Sequence, residues 1–221
     1  MAIRTRVKIC GITRPQDGVQ AAQLGVDAIG LVFYEKSPRN ISVRKAAEIC
    51  ESLPGFVTVV ALFMDPEVSQ VKRVLADCPI DIIQFHGQEA PAFCDSFDKA
   101  YIKAMGMAGS IDHSNGLENK ISDYAERYSS ARSILLDSHA IGVAGGTGEV
   151  FDWQSIPEIH RAKIILAGGL KPDNVAQAIQ QVRPYAVDLS SGVESAPGIK
   201  DIKLMTRLMN EVKRIDCESE E

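Results

Sequence analysis

Eight short apolar runs recur along the chain, each followed by an amphipathic stretch, and this alternation restricts the fold more than any other property of the sequence. The runs are Arg6–Ile9, Ala28–Phe33, Val57–Phe63, Ile80–Phe85, Ala100–Ala104, Ser133–Leu136, Ile164–Ala167 and Ala186–Leu189. They are nearly continuous rather than alternating, as parallel strands are when both faces of their sheet are covered. Between and after them the helical periodicity predicts Gln16–Leu24, Val43–Ser52, Glu67–Ala76, Glu89–Ser96, Glu118–Tyr128, a short helix near Trp153–Glu158, Pro172–Gln181 and Ile202–Val212. Three of these carry start signals: Asp65-Pro66, Thr13-Arg14-Pro15, and Ser42 as an N-cap with Lys45 three residues on.

Eight strand-then-helix units predict an α/β chain folded as a single (β/α)8 TIM barrel. A doubly wound sheet would place a glycine fingerprint after the first run, where this chain reads Cys10-Gly11-Ile12-Thr13 instead. The barrel is expected to span residues 1–215, leaving Asp216–Glu221 as a short, acidic, disordered tail. The longest helix-free connections, Met105–Gly116 and Ser138–Glu149, fall after the fifth and sixth strands, on the barrel face that carries active sites in this fold.

Charge and cysteine usage exclude several classes of function. A net charge of −5 with no basic stripe argues against nucleic acid and anionic membranes as partners. It leaves an anionic small molecule open, because phosphate is held by backbone N–H groups that do not register in net charge. Five cysteines, odd in number and without a CxxC pair, are not a disulfide framework or a zinc knuckle. The chain shows no signal-peptide pattern and no apolar run long enough to span a bilayer, so a reducing cytoplasm is the expected location. Sequence leaves monomer and homodimer both open.

Residues at strand ends carry the candidate chemistry. Gly168-Gly169 follow the seventh strand and Ser190-Ser191-Gly192 follow the eighth, the two loops that hold phosphate in this fold; the alternative is a pair of ordinary tight turns. Cys10 ends the first strand, where a thiol is either a base with its pKa drawn down by cations such as Lys8 or a small packing residue. Cys50, Cys78 and Cys94 fall on helices and are read as packing. Asp137 closes the sixth strand as a candidate general acid or a loop cap, while Asp188, inside the eighth strand, is expected to make an internal hydrogen bond. Arg39 is positioned either to clamp a carboxylate or to lie solvated on the surface. The four histidines lack metal-ligand spacing: His86 follows the fourth strand, His139 lies beyond Asp137, and His113 and His160 read as surface residues. Gly145–Gly148 lacks the Lys-Ser/Thr of a P-loop and reads as a mobile substrate loop.

Seven stretches in order, KICGIT (Lys8–Thr13), FYEKSPRNIS (Phe33–Ser42), QFHG (Gln84–Gly87), LLDS (Leu135–Ser138), GGTGEVFDW (Gly145–Trp153), LAGGLKPDNV (Leu166–Val175) and VDLSSGVE (Val187–Glu194), resemble the phosphoribosylanthranilate isomerase family. The resemblance runs from the first strand to the eighth. It implies a cofactor-free, metal-free Amadori rearrangement of N-(5-phosphoribosyl)anthranilate in tryptophan biosynthesis. It also implies Asp137 as acid, Cys10 as base and Arg39 on the anthranilate carboxylate, with Gly168, Gly169, Ser190, Ser191 and Gly192 as the phosphate cradle. Indole-glycerol-phosphate synthase would want several catalytic Lys and Glu at strand ends, and Lys103 alone is suggestively placed within a strand. A ribulose-phosphate epimerase would want metal-binding His and Asp, and a non-catalytic phosphosugar-binding barrel would need neither Cys10 nor Asp137.

Overall fold

In the computed structural model, which describes residues 4–107, 116–138, 156 and 158–218, eight parallel strands close into a barrel in strict chain order. They are β1 Arg6–Cys10, β2 Ala28–Val32, β3 Thr58–Phe63, β4 Ile82–Phe85, β5 Tyr101–Gly106, β6 Ser133–Asp137, β7 Ile164–Ala167 and β8 Ala186–Leu189. Closure is made by β1 on β8, with Arg6 opposite Ala186 through to Ile9 opposite Leu189. The expected strands are all present, the seventh and eighth with the expected bounds and the others with ends moved by one or two residues.

Side-chain period two then sorts each run into an inner and an outer face. Val7, Ile9, Ile83, Phe85, Ile134, Leu136, Val187 and Leu189 join the large apolar layer beneath the helices. Their alternates Ile102, Ala104, Leu135, Ile165, Ala167 and Ala186 form a separate small cluster, the barrel's interior. Lys8, Cys10, Gln84, Asp137 and Asp188 share the alternating positions of this inner face, so its upper layers are polar.

Helices α1 Pro15–Gln23, α2 Val43–Ser52, α3 Val68–Asp77, α4 Pro91–Asp95, α5 Leu117–Arg127, α6 Val175–Val182 and α7 Ile202–Glu218 complete the shell. Ser42 caps α2 through the Lys45 N–H at 3.2 Å, and Pro15 opens α1, both as expected. Asp65 does not cap α3: its backbone is left-handed (φ 45°), its carboxylate accepts from the Gln88 N–H, and Glu67 is the N-cap. The helix expected from Glu89 begins at Pro91, because Glu89 turns inward as a buried carboxylate. The one expected from Pro172 begins at Val175. Cys78 caps the end of α3 rather than lying within it. The tail expected to be disordered from Asp216 is helical as far as Glu218, since the Asp216 carboxylate accepts from Thr5 N and Oγ1 at 2.9 and 2.7 Å. A two-stranded ribbon, β9 Glu194–Ala196 with β10 Ile199–Lys200, follows β8 and has no counterpart in the sequence reading. A 3-10 turn covers Glu158–Lys163, while most of the expected Trp153–Glu158 helix, the Gly145–Gly148 loop, His113 and His139 lie outside the described residues.

Candidate active site

The barrel mouth opens into a cavity of about 260 Å³ whose wall includes Cys10, Arg39, Asp137, Gly168, Gly169, Ser190 and Ser191. Seven of the eight residues singled out from sequence thus share one space. The eighth, Gly192, sits just behind it: a Cβ there would overlap the Leu170 carbonyl, so glycine is what lets the β7 and β8 loops touch. Gly168 and Gly169 have φ of 83° and 63°, a backbone that L side chains rarely adopt. A Cβ on Gly168 would also lie 2.7 Å from Asp137 Oδ1. Gly168 therefore makes room for the Asp137 carboxylate.

Cys10 reaches the cavity because the pleat turns it inward beside Lys8, and Gly30 on the neighbouring strand leaves it space. A Cβ at Gly30 would come within 2.7 Å of Sγ and 3.1 Å of Lys8 Nζ. Of the two alternatives for Cys10, the one with a lowered thiol pKa is not found. Burial pushes the Cys10 thiol up, and the Lys8 and Lys200 ammonium groups offset only part of that. Lys8 itself donates to Asp188 Oδ2 at 2.7 Å, the internal bond expected of Asp188. Burial works to discharge Lys8, but the Asp188 carboxylate prevails and holds its pKa above the ordinary lysine value.

Asp137 faces His86, with Nε2 and Oδ2 3.4 Å apart. Gln84 Nε2 lies 3.1 Å from His86 Nδ1. With the amide donating, Nδ1 accepts and the ring proton sits on Nε2, toward the acid. Arg39 is not solvated: its Nε and Nη2 fork onto Glu194 Oε1 and Oε2 at 2.8 and 2.7 Å. The outer edge of the guanidinium is the one that can meet a ligand. Burial raises the thiols of Cys50 to about 11 and Cys94 to about 12, in keeping with packing roles.

Three buried polar atoms on cavity-lining residues have no partner among the described residues: Gln84 Oε1, Asp188 Oδ1 and Ser190 Oγ. An unpaired buried acceptor is costly, so three together point to a ligand that supplies O–H groups. Sequence reasoning missed Gln84, Glu194 and Lys200 and weighed His86 only as a metal ligand, a role its spacing argued against; the QFHG and SSGVE stretches were the available signal for Gln84, His86 and Glu194. Among the described residues no group of three His, Cys, Asp or Glu side chains is arranged to hold a metal ion.

The model of the N-(5'-phosphoribosyl)anthranilate (PRA) isomerase family matches residues 7–211. The chain belongs to this family. The N-(5'-phosphoribosyl)anthranilate isomerase of Nitrosococcus oceani is 49% identical over 214 residues, covering 97% of this chain and all of the relative. That of Alcanivorax borkumensis is 50% identical over 215 residues, covering 94% and 95%. The crystal structure of the family member from Thermotoga maritima superposes with a TM-score of 0.82 at 36% identity, covering 95% of this chain and 99% of that one. A family structure in complex with reduced 1-(o-carboxyphenylamino)-1-deoxyribulose 5-phosphate gives 0.77 at 34% identity, again covering 95% and 99%. Like these relatives, the chain is an isomerase on a (β/α)8 barrel. No helix among the described residues is long and apolar enough to cross a membrane.

Proposed function

We propose that Cys10 and Asp137 are the base and acid that isomerise N-(5'-phosphoribosyl)anthranilate to 1-(2-carboxyphenylamino)-1-deoxyribulose 5-phosphate, a cytoplasmic step of tryptophan biosynthesis. The observation that carries the reading is that thiol, carboxylate, arginine and both phosphate-type loops line one cavity.

Asp137 protonates the ribose ring oxygen, and the ring opens to a Schiff base. Cys10 then takes the proton from C2′, giving an enolamine that tautomerises to the keto product. Burial keeps Cys10 protonated in the free protein, so the thiol first gives its proton to water in the open cavity, and the resulting thiolate, beside the Lys8 ammonium, takes the C2′ proton. His86, with Nε2 toward Asp137, stabilises the carboxylate left after proton transfer. The phosphate sits on Gly168, Gly169, Ser190, Ser191 and Gly192, and the outer edge of Arg39 meets the anthranilate carboxylate. The orphaned acceptors of Gln84 and Asp188 suit the hydroxyls of the opened sugar.

The test uses substrate generated in situ, with EDTA present, followed by fluorescence. Turnover by the wild type with losses of roughly 10² or more in Cys10→Ala and Asp137→Asn is the expected result. Turnover that survives both changes overturns these roles while leaving the family assignment intact.

A further inference from the structure

At the cavity wall, Arg39 meets two buried charged side chains of the β9–β10 ribbon, Glu194 and Lys200. Arg39, from the β2–α2 connection, forks onto Glu194 at 2.8 and 2.7 Å. Lys200, from β10, donates to the same Glu194 Oε1 at 2.6 Å, to the Cys10 carbonyl at 2.6 Å and to the Ser190 carbonyl at 3.2 Å. The Lys200 side chain has no exposed surface and that of Glu194 is 4% exposed. Removing such a group of charges from water is expensive, and a buried ionic cluster is weak grounds for stability. Its geometry is more informative than its energy.

One carboxylate here serves two cations, so the cluster carries a surplus positive charge. The cation that reaches the cavity is Arg39, which lines its wall. Arginine is a long side chain with many rotamers, yet this one is confined from two sides. Glu194 holds the Nε–Nη2 edge, and the stem lies over Gly11, where a Cβ would overlap Arg39 Cδ. Burial opposes ionisation of Glu194, but Arg39 and Lys200 more than offset it and keep its carboxyl below the usual carboxylate range.

We propose that Glu194, braced by Lys200, is a positioning residue: it fixes the Arg39 guanidinium so that its outer edge meets an aryl carboxylate, and it thereby makes the site selective for a carboxylated ring. Lys200 ties this arrangement to the Cys10 and Ser190 carbonyls, so the carboxylate subsite, the base and the phosphate loop share one brace. The inference rests on the Arg39 reading given above. Binding sites tolerate only small errors in the placement of such groups.

The test measures affinity for two ligands, the reduced product analogue and its phenylamino counterpart lacking the carboxylate. Glu194→Asp keeps the charge and shortens the reach by one methylene. It is expected to weaken the carboxylated ligand about tenfold and leave the other within about twofold, with no further loss on an Arg39→Ala background. Equal weakening of both ligands, as a merely structural role would give, overturns the proposal; so does a loss that persists without Arg39. If Arg39→Ala itself leaves the carboxylated ligand unaffected, the Arg39 reading fails instead. Should thermal melting show Glu194→Asp unfolded, Arg39→Lys decides, because lysine keeps the charge but cannot fork. It is expected to lose as much selectivity as Arg39→Ala, and wild-type selectivity would overturn the positioning role.

Discussion

The Lys8 ammonium donates to the Asp188 carboxylate across 2.7 Å inside the barrel, with both side chains more than nine-tenths buried. Removing one partner leaves the other buried without its counter-charge. Lys8→Met is therefore expected to cost about 3–5 kcal/mol in denaturant unfolding, with much of it recovered in Lys8→Met/Asp188→Asn. Because the folded Lys8 pKa lies above the ordinary 10.5, its contribution is complete below that pH and is lost as pH climbs past it. The wild type should lose stability more steeply than the double variant in that range.

Burial raises the Cys10 thiol above its ordinary value of 9.0, so alkylation of Cys10 in the free protein should be slow at neutral pH. Peptide mapping after iodoacetamide treatment checks this, with the exposed Cys217 as internal control. The Cys10 rate is expected to rise about tenfold per pH unit without a plateau up to pH ~9. A plateau below about pH 8 would mean that Lys8 and Lys200 prevail over burial.

Gly168 and Gly25 both have positive φ, 83° and 89°, but their surroundings differ. A Cβ at Gly25 meets nothing within 4 Å, whereas one at Gly168 presses on Ser138 and Asp137. Alanine at Gly25 should cost only about 1–2 kcal/mol of backbone strain and leave kinetics unchanged. Alanine at Gly168 should in addition displace the Asp137 carboxylate and, if Asp137 is the acid proposed above, lower kcat roughly 10- to 100-fold. Unfolding and steady-state kinetics on the two variants separate strain from function.

Lys103 points outward from β5 and holds the loop after β4. Its Nζ donates to the Gly87 carbonyl at 2.7 Å and to Glu89 Oε2 at 3.1 Å, and Glu89 in turn accepts from the Gly87 N–H. His86 stands immediately before this clamp. Lys103→Met should destabilise the protein by about 3 kcal/mol and reduce kcat by less than Asp137→Asn does, since it loosens His86 without removing the acid. A kinetic loss equal to that of Asp137→Asn would give Lys103 a larger role than this clamp.

The barrel was legible because eight runs in the right order leave few other topologies, and the strand ends named Cys10, Asp137 and the two glycine-serine loops directly. The inner and outer faces of a run were not legible. Val7, Lys8, Ile9 and Cys10 read as one strand, and nothing local says that Lys8 and Cys10 face inward; closure of β1 on β8 decides that. The direction of the Cys10 pKa was likewise not legible, because a neighbouring lysine is visible in sequence and the depth of burial is not.

The sequence by itself determined the strand-and-helix order, the family and seven of the residues that line the cavity. Those follow from local periodicity and short motifs. Only the tertiary structure decided that Lys8 belongs to Asp188, 180 residues away, and that Arg39 is held by Glu194, 155 residues away. Charge pairs at that separation have no local signature: they exist only once the barrel closes and brings the groups together away from bulk water.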